Sequence, residues 1–162
     1  LRVRYDDKPR RATMRRLPDF DSENQCFFVT TNTKNGIPLF RDAKNVEIFF
    51  EAVRDSQKKF PFELPGYVIM PDHVHLLVWI TGPNTSISQI MHSIKGICAY
   101  KLIKQRGHKG PAWQRRFYDH VIRDERDFLT KLNYIHNNPV QAGLVEESDD
   151  YPYSSFDKWY DE

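Results

Sequence analysis

The stretch Gly66-Tyr67-Val68-Ile69-Met70-Pro71-Asp72-His73-Val74-His75-Leu76-Leu77-Val78-Trp79-Ile80 predicts two strands joined by a tight turn at Pro71-Asp72. Side chains alternate between faces along a strand, so both histidines, Leu77 and Trp79 share one face of the second strand. The opposite face carries only apolar side chains. Such a strand can bury one face in a core and present two imidazoles on the other. Two histidines spaced this way supply half of a metal site.

The patterns on either side of this hairpin predict an α+β domain. A β-rich run at residues 26–31 precedes a helix capped by Asp42, and a Ser86-x-x-Gln89 capping box begins a second helix. A further strand is predicted over residues 113–122, followed by a helix that Asp124 caps and Pro139 ends. The order β-α-β-β-α-β predicts a ferredoxin-like antiparallel sheet with helices on one face, to which the last helix is an addition.

Length and composition favour one globular domain between two charged ends. The 162 residues are 40% hydrophobic and 28% charged, enough to bury a core without disulfides. We divide the chain into a basic arm at 1–20, a main domain at 21–144 and an acidic tail at 145–162. Cys26 and Cys98 are too few and too far apart for a disulfide framework. Without a membrane-spanning run or a secretory signal, we expect a cytoplasmic protein that does not associate with membranes.

The net charge of +2 hides two basic segments and one acidic segment. Residues 1–16 carry seven basic residues against two acids, and residues 95–123 carry eight against one. Residues 141–162 carry seven acids against one lysine. The basic segments indicate either a polyanionic partner, most simply nucleic acid, or an ordinary solvated surface. The candidates for contact with a nucleic-acid backbone are Arg10, Arg11, Arg15, Arg16, Lys95, Lys101, Arg115 and Arg116.

The last helix carries a tyrosine that its helical position keeps away from the core. The apolar stripe consists of Phe128, Leu129, Leu132 and Ile135. At about 100° per residue, Tyr134 lies on the polar side of the helix, in one band with Lys131 and Asn138. Asn138 follows Tyr134 by four positions and is therefore its neighbour along the helix.

Together these residues resemble the HUH endonucleases, whose motif is His–hydrophobic–His, and the single-tyrosine transposases within that group. The segments MPDHVHLLVW, WQRRFYDHVIRDERDF and YIHNNPVQAGLV resemble more specifically the REP-associated tyrosine transposases. The resemblance extends over roughly residues 25–157 and identifies residues 21–144 as a catalytic domain. It implies cleavage and rejoining of single-stranded or hairpin DNA that carries repetitive extragenic palindromes.

The resemblance also assigns roles to individual residues. It implies that Tyr134 is the nucleophile, which leaves a 5′-phosphotyrosine and a free 3′-OH. It implies that His73, His75 and Asn138 hold a divalent metal, Mg²⁺ or Mn²⁺, where many single-tyrosine transposases have glutamine in place of Asn138. The family pattern also contains His120, either as an active-site neighbour or as a structural residue.

Further expectations from the resemblance concern the partner and the location of the protein. Lys131 either steadies the DNA phosphate or is a solvated charge. We expect a monomer or a homodimer that is associated with the bacterial nucleoid.

Because a free tyrosine is only about 0.1% ionised at neutral pH, the phenol needs help from a metal or a base to attack phosphorus.

Two alternative functions and one further hypothesis stand beside this interpretation. One is a hairpin-binding or single-strand-binding protein of the same fold without catalytic activity. Another is a nucleotide hydrolase of the histidine-triad type, which requires a third alternating histidine where this chain has Leu77. A further hypothesis is that residues 141–162 fold over the basic surface and compete with DNA.

Overall fold

A computed structural model describes residues 17–20 and 24–160 of the chain. The strands are β1 (Cys26–Asn32), β2 (Phe62–Ile69), β3 (His73–Ile80) and β4 (Tyr118–Val121). The helices are α1 (Ala43–Gln57), α2 (Ile87–Arg106), α3 (Glu125–Gln141) and α4 (Phe156–Trp159), with short 3₁₀ turns at Lys34–Gly36, Leu39–Arg41 and Ser148–Asp150. Most of the predicted basic arm, with Arg10, Arg11, Arg15 and Arg16, lies outside the described residues.

The four strands form one antiparallel sheet in the order β2-β3-β1-β4. The element order β-α-β-β-α-β followed by a helix is the predicted one, and the α+β fold class is confirmed. The histidine-bearing strand β3 lies in the interior of the sheet, where β1 and β2 pair with its two edges. Its position in the sheet is therefore fixed from both sides.

Helices cover both faces of the sheet. On one face α1 and α2 pack against the apolar side of β3, which includes Val74, Leu76 and Val78. On the other face α3 packs against Leu77 and against Phe28 of β1. The alternation read from the sequence is confirmed, and the additional helix α3 lies on the same face of the sheet as the histidines. No helix in the described part of the chain is long and apolar enough to cross a bilayer.

Helix α3 approaches the sheet closely at Gly66 of β2. A Cβ atom at this position would lie 2.8 Å from Cδ1 of Leu132 and 2.9 Å from Cδ1 of Leu77. Both leucines are fully buried, so the missing side chain of Gly66 makes room for the helix. The glycine thereby sets how near α3 lies to the sheet.

The predicted end of α3 at Pro139 is wrong, because the helix continues to Gln141 with the proline inside it. Gly143 ends the helix instead, with a φ of 72° in the left-handed region. Its N–H donates to the carbonyl of Val140, and the N–H of Leu144 donates to the carbonyl of Pro139. This is a Schellman motif, which satisfies the last carbonyls of the helix. Pro139 is tolerated because it removes only one hydrogen bond near the end.

The predicted strand over residues 113–122 is also too long, since only Tyr118–Val121 pair with β1. Trp113 instead forms an isolated bridge with Thr33, and its indole packs against Phe40 and Phe49 in the core beneath α1 and α2. The N–H of Gln114 donates to the carbonyl of Asn32 beyond the regular register. The segment before β4 is therefore held in place by a buried tryptophan rather than by continuous backbone pairing with β1.

The acidic tail folds against the outer edge of β2. The N–H of Ile69 donates to the carbonyl of Tyr153, and the N–H of Ser155 donates to the carbonyl of Tyr67. The indole Nε1 of Trp159 donates to the carbonyl of Pro65. These bonds cover a sheet edge that would otherwise expose unpaired backbone groups. Since β4 forms the opposite edge, this packing does not support a tail that folds over the segment preceding β4.

Candidate active site

Two imidazoles lie side by side at the start of β3. The ring centroids of His73 and His75 are 4.8 Å apart, with their planes at 77°. Nδ1 of His73 is 2.7 Å from a carboxylate oxygen of Asp72, and Nδ1 of His75 is 2.8 Å from Oγ1 of Thr30. Both rings are thus held through Nδ1, which leaves Nε2 as the free position on each ring.

The electrostatics of His75 favour a neutral ligand. Its side chain is buried at 4% exposure, and Nε2 has no hydrogen-bond partner in the described part of the chain. Burial, followed by the nearby imidazole of His73, lowers the pKa of His75 to about 3. In the tautomer in which Nδ1–H donates to Thr30 Oγ1, Nε2 of the neutral ring carries a free lone pair. A buried, unpaired imidazole nitrogen fits a divalent metal.

Tyr134 of α3 faces this histidine pair from above the sheet. Its ring centroid is 5.2 Å from that of His75 and 5.9 Å from that of Phe28. The phenol is 51% exposed, in agreement with its predicted place outside the core. Phe28 also stacks on His75, with centroids 5.6 Å apart, so one phenylalanine packs against both rings. A solvent-accessible hydroxyl therefore lies beside a potential metal ligand of the same chain.

The preceding turns of α3 add charged groups to the site. Nζ of Lys131 lies 5.2 Å from the centre of the Phe28 ring, one turn before Tyr134. One turn earlier, Oδ2 of Asp127 is 2.8 Å from Nε2 of His120 on β4 and also accepts the N–H of Arg123. Partial burial raises the pKa of Asp127, but these hydrogen bonds outweigh burial and hold the pKa below its ordinary value. The His120–Asp127 pair thus ties β4 to the beginning of α3.

The predicted third metal ligand, Asn138, lies on the same helix as Tyr134. Asn138 lies one turn after Tyr134 on α3 and is half-buried. Within the described residues, no hydrogen bond joins its side chain to either imidazole. The described residues also contain no group of three or more His, Cys, Asp or Glu that could hold a metal ion. A metal on the two histidines would therefore need further oxygen ligands, and the role of Asn138 stays a prediction.

Of the predicted basic residues that lie in the described part of the chain, Lys131 is the one that contacts the histidine site, through the ring of Phe28. Lys101 lies on α2, where it forms ion pairs with Glu51 at 3.0 Å and Asp55 at 3.3 Å. Lys95 donates to the carbonyl of Gln114 at 2.8 Å and lines a groove of about 680 Å³ between α2 and residues 111–117. Arg115 lines the same groove, and Arg116 is exposed beside it. Lys95 and Arg115 thus belong to a groove on α2, whereas Lys101 is paired with acidic side chains of α1.

Two contacts that organise the site were not identified from the sequence. Thr30 orients His75 from a strand 45 positions earlier in the chain, and nothing local to Thr30 indicates this. Asp72 directly precedes His73, so its carboxylate was a visible signal that sequence reasoning did not use. The third position required by a histidine-triad hydrolase is filled by Leu77, which is buried beneath α3.

Comparison with known protein families finds a match. The model of the family described as IS200-like transposases matches residues 26–138, more than half of the chain. The matched segment contains the histidine pair, Tyr134 and Asn138.

Individual relatives point to the same family. A Haemophilus influenzae protein with the provisional name of REP-associated tyrosine transposase is 36% identical over 117 residues, which is 67% of this chain and 66% of that protein. The Escherichia coli REP-associated tyrosine transposase is 28% identical over 134 residues, 80% of this chain and 75% of that protein. The solved structure of a REP-associated tyrosine transposase bound to a REP hairpin matches with a TM-score of 0.74 and 26% identity, over 90% of this chain and 84% of that chain. The chain belongs to the IS200-like transposase family.

Proposed function

We propose that this protein is a metal-dependent single-strand DNA endonuclease and strand transferase in which Tyr134 is the nucleophile. The observation that carries the proposal is the contact between the half-exposed Tyr134 and His75, whose buried Nε2 has no partner among the described residues. Family membership gives this arrangement a reaction class. A tyrosine beside potential metal ligands fits transfer of a DNA phosphodiester to the phenol.

The covalent step conserves the energy of the DNA backbone. Tyr134 Oη forms a bond to phosphorus, the phenolic proton is released, and the bond from phosphorus to the 3′ oxygen breaks. The products are a 5′-phosphotyrosine and a DNA end with a free 3′-OH. Because the phosphodiester is retained on the protein, a later attack by a 3′-OH can rejoin the strand.

The histidines are the proposed metal holders. Nε2 of His73 and of His75, with the amide oxygen of Asn138, would hold Mg²⁺ or Mn²⁺, and two imidazoles suit Mn²⁺ better than Mg²⁺. When bound, the ion would supply Lewis-acid polarisation of the scissile phosphate. Lys131, one turn from Tyr134, places a positive charge where the phosphate would approach. Thr30 and Asp72 keep both imidazoles oriented.

The proposed substrate is a REP-type palindromic hairpin with a single-stranded flank. The similarity to a relative solved with a REP hairpin extends over 90% of this chain, which supports the same class of partner. The exposed cations Arg115 and Arg116, with the arginines of the N-terminal segment, are proposed to contact the backbone of the hairpin.

The proposal predicts a covalent protein–DNA adduct that depends on Tyr134 and on metal. The wild-type protein, a REP-type hairpin with a labelled flank and Mn²⁺ should give a species of reduced mobility in a denaturing gel. Tyr134→Phe should abolish this species while hairpin affinity changes little, since the ring is retained. Excess EDTA should also abolish it. Tyr100→Phe, a change at an exposed tyrosine on α2, is the matched control and should leave the adduct intact.

A persistent adduct in Tyr134→Phe would contradict the assignment of the nucleophile, and a persistent adduct in EDTA would contradict the metal. The alternative function considered from the sequence is a hairpin-binding protein of the same fold without activity. That alternative predicts hairpin binding without an adduct in any divalent metal. The same gel therefore separates the two functions.

A further inference from the structure

Helix α3 covers only part of the sheet face against which it packs. Toward one end of the strands, Phe28, Leu77 and Trp79 are buried under the helix. Toward the other end, Asn32 is exposed, and Thr30 is only half-buried. An uncovered floor therefore begins beside His75, which is itself buried, and extends across β1, with Tyr134 at its boundary.

This floor ends on the edge strand in an exposed aromatic side chain. In the register, Thr30 of β1 lies opposite His75 on one side and opposite Tyr118 of β4 on the other. Directly opposed residues of antiparallel strands point to the same face, so His75, Thr30 and Tyr118 form one row. Two strand spacings separate the ends of the row, about 10 Å. This distance lies within the span of one nucleotide from its phosphate to its base.

Tyr118 has no evident structural reason to be aromatic. Its side chain is 59% exposed, and no ring contact or hydrogen bond holds it within the described part of the chain. The next residue on the same face, His120, is tied to Asp127 and so keeps β4 in place beside α3. The backbone at Tyr118 is therefore held in place, whereas its side chain is not held by any contact within the described residues.

We propose that Tyr118 is a stacking platform for the unpaired base next to the scissile phosphate. The inference rests on the proposed function, which brings a phosphate to Tyr134 and the histidine pair. A strand placed there has its neighbouring sugar and base over Thr30 and Tyr118. Stacking on an exposed aromatic ring is how proteins hold unpaired bases without regard to sequence.

The surrounding charges favour a nucleic acid over a protein on this row. Lys131 lies on the α3 side of the floor, and the exposed Arg116 precedes Tyr118 by two residues. Asp119 alternates to the opposite face of β4, away from the row. An exposed aromatic ring on a site that also carries Lys131 suits a base next to a phosphate, whereas an apolar protein surface would leave this cation without a partner.

A double-mutant cycle between the ring and the base tests the proposal. The probe is a REP-type hairpin whose single-stranded flank carries an abasic site at each position in turn, and binding is measured by fluorescence anisotropy in Mn²⁺. Tyr118→Ala should weaken binding of the intact flank on the order of tenfold. One abasic position should weaken wild-type binding by a similar factor and have little further effect on Tyr118→Ala. That position should adjoin the cleaved bond.

Two control variants make the result specific. Tyr118→Phe retains the ring and should bind like the wild type. Tyr100→Ala removes a tyrosine of similar exposure, 61%, from α2 on the other side of the sheet, and should also bind like the wild type.

Several outcomes would overturn the platform. One is that every abasic position weakens Tyr118→Ala as much as it weakens the wild type. Another is an equal loss of affinity in Tyr100→Ala. If the wild type binds the hairpin but forms no adduct, the proposed strand cleavage fails, and the cycle still decides whether Tyr118 stacks on a base. If the wild type does not bind the hairpin, both proposals fail.

Discussion

At the scale of single residues, the site depends on hydrogen bonds that fix the two imidazoles. Asp72 holds His73 through Nδ1, and Thr30 holds His75 in the same way. A hydrogen bond at Nδ1 selects the tautomer that leaves the Nε2 lone pair available, and such supporting contacts commonly change metal affinity by 10- to 100-fold. The chemistry proposed for Tyr134 thus also depends on two residues, Thr30 and Asp72, that act through the histidines.

Thr30→Val should lower the affinity for Mn²⁺ by about tenfold or more, because the valine has the same shape but cannot hold Nδ1 of His75. Isothermal titration calorimetry of the isolated protein measures this directly. Thr31→Val is the matched control, since Thr31 is buried on the opposite face and its hydroxyl has no partner in the described residues. Equal Mn²⁺ affinities in the two variants would contradict the orienting role of Thr30.

At the scale of elements, α3 is clamped between the sheet and the tail. The buried His136 on α3 shares a 2.8 Å hydrogen bond between its Nε2 and the hydroxyl of Ser155, which also accepts the N–H of Tyr67 on β2. This contact joins helix, tail and edge strand at one point. Since Tyr134 lies on the same helix, the clamp also holds the nucleophile in position.

The clamp predicts a loss of stability in mild acid. Burial lowers the pKa of His136 from 6.5 to about 4, so the unfolded chain binds a proton more readily than the folded protein. Its contribution is complete above pH 6.5 and is lost as the pH falls toward 4. Between pH 7 and pH 5 the free energy of unfolding should decrease by about 2 kcal/mol from His136 alone.

Urea denaturation at the two pH values measures this decrease, to which His75 adds a contribution of the same sign. His136→Gln cannot take up the proton and should reduce the pH dependence by the share of His136. An unchanged pH dependence in this variant would mean that His136 is not held neutral in the folded protein.

Local signals in the sequence predicted most elements. The capping box at Ser86 and Gln89 and the cap at Asp124 are both present in the structure. The end of α3 was predicted wrongly because Pro139 is a stronger local signal than Gly143. In the structure the proline costs the helix only one hydrogen bond, and the left-handed turn at Gly143 satisfies two carbonyls at the helix end. The pairing of residues 151–160 with β2 has no periodic signal, since it depends on a distant sheet edge.

In the candidate site, too, the residues that follow local patterns were predicted and those that depend on distant contacts were not. The histidine spacing and the polar side of the last helix are local patterns, so His73, His75 and Tyr134 could be chosen from the sequence. His75 and Tyr134 are 59 positions apart in the chain, and their approach depends on which face of the sheet α3 covers. The sequence pattern alone did not determine that face. Thr30 is absent from the sequence-based site for the same reason.

At the scale of the whole molecule, the sheet separates two regions. One face is filled by the core beneath α1 and α2, and the other carries α3, the tail and the histidine pair. Because α3 covers only part of its face, an uncovered floor remains next to Tyr134. The fold thus joins a rigid support to an accessible site within one chain of the IS200-like transposase family.

The most direct test of this account is to identify the residue that becomes linked to DNA. The wild-type protein is incubated with a REP-type hairpin and Mn²⁺, digested with a protease and a nuclease, and analysed by mass spectrometry. The account predicts a nucleotide phosphate on the peptide that contains Tyr134 and its absence from the Tyr134→Phe sample. A nucleotide on a peptide containing Tyr118 or any other tyrosine, or cleavage of the hairpin with no linked peptide, would contradict it.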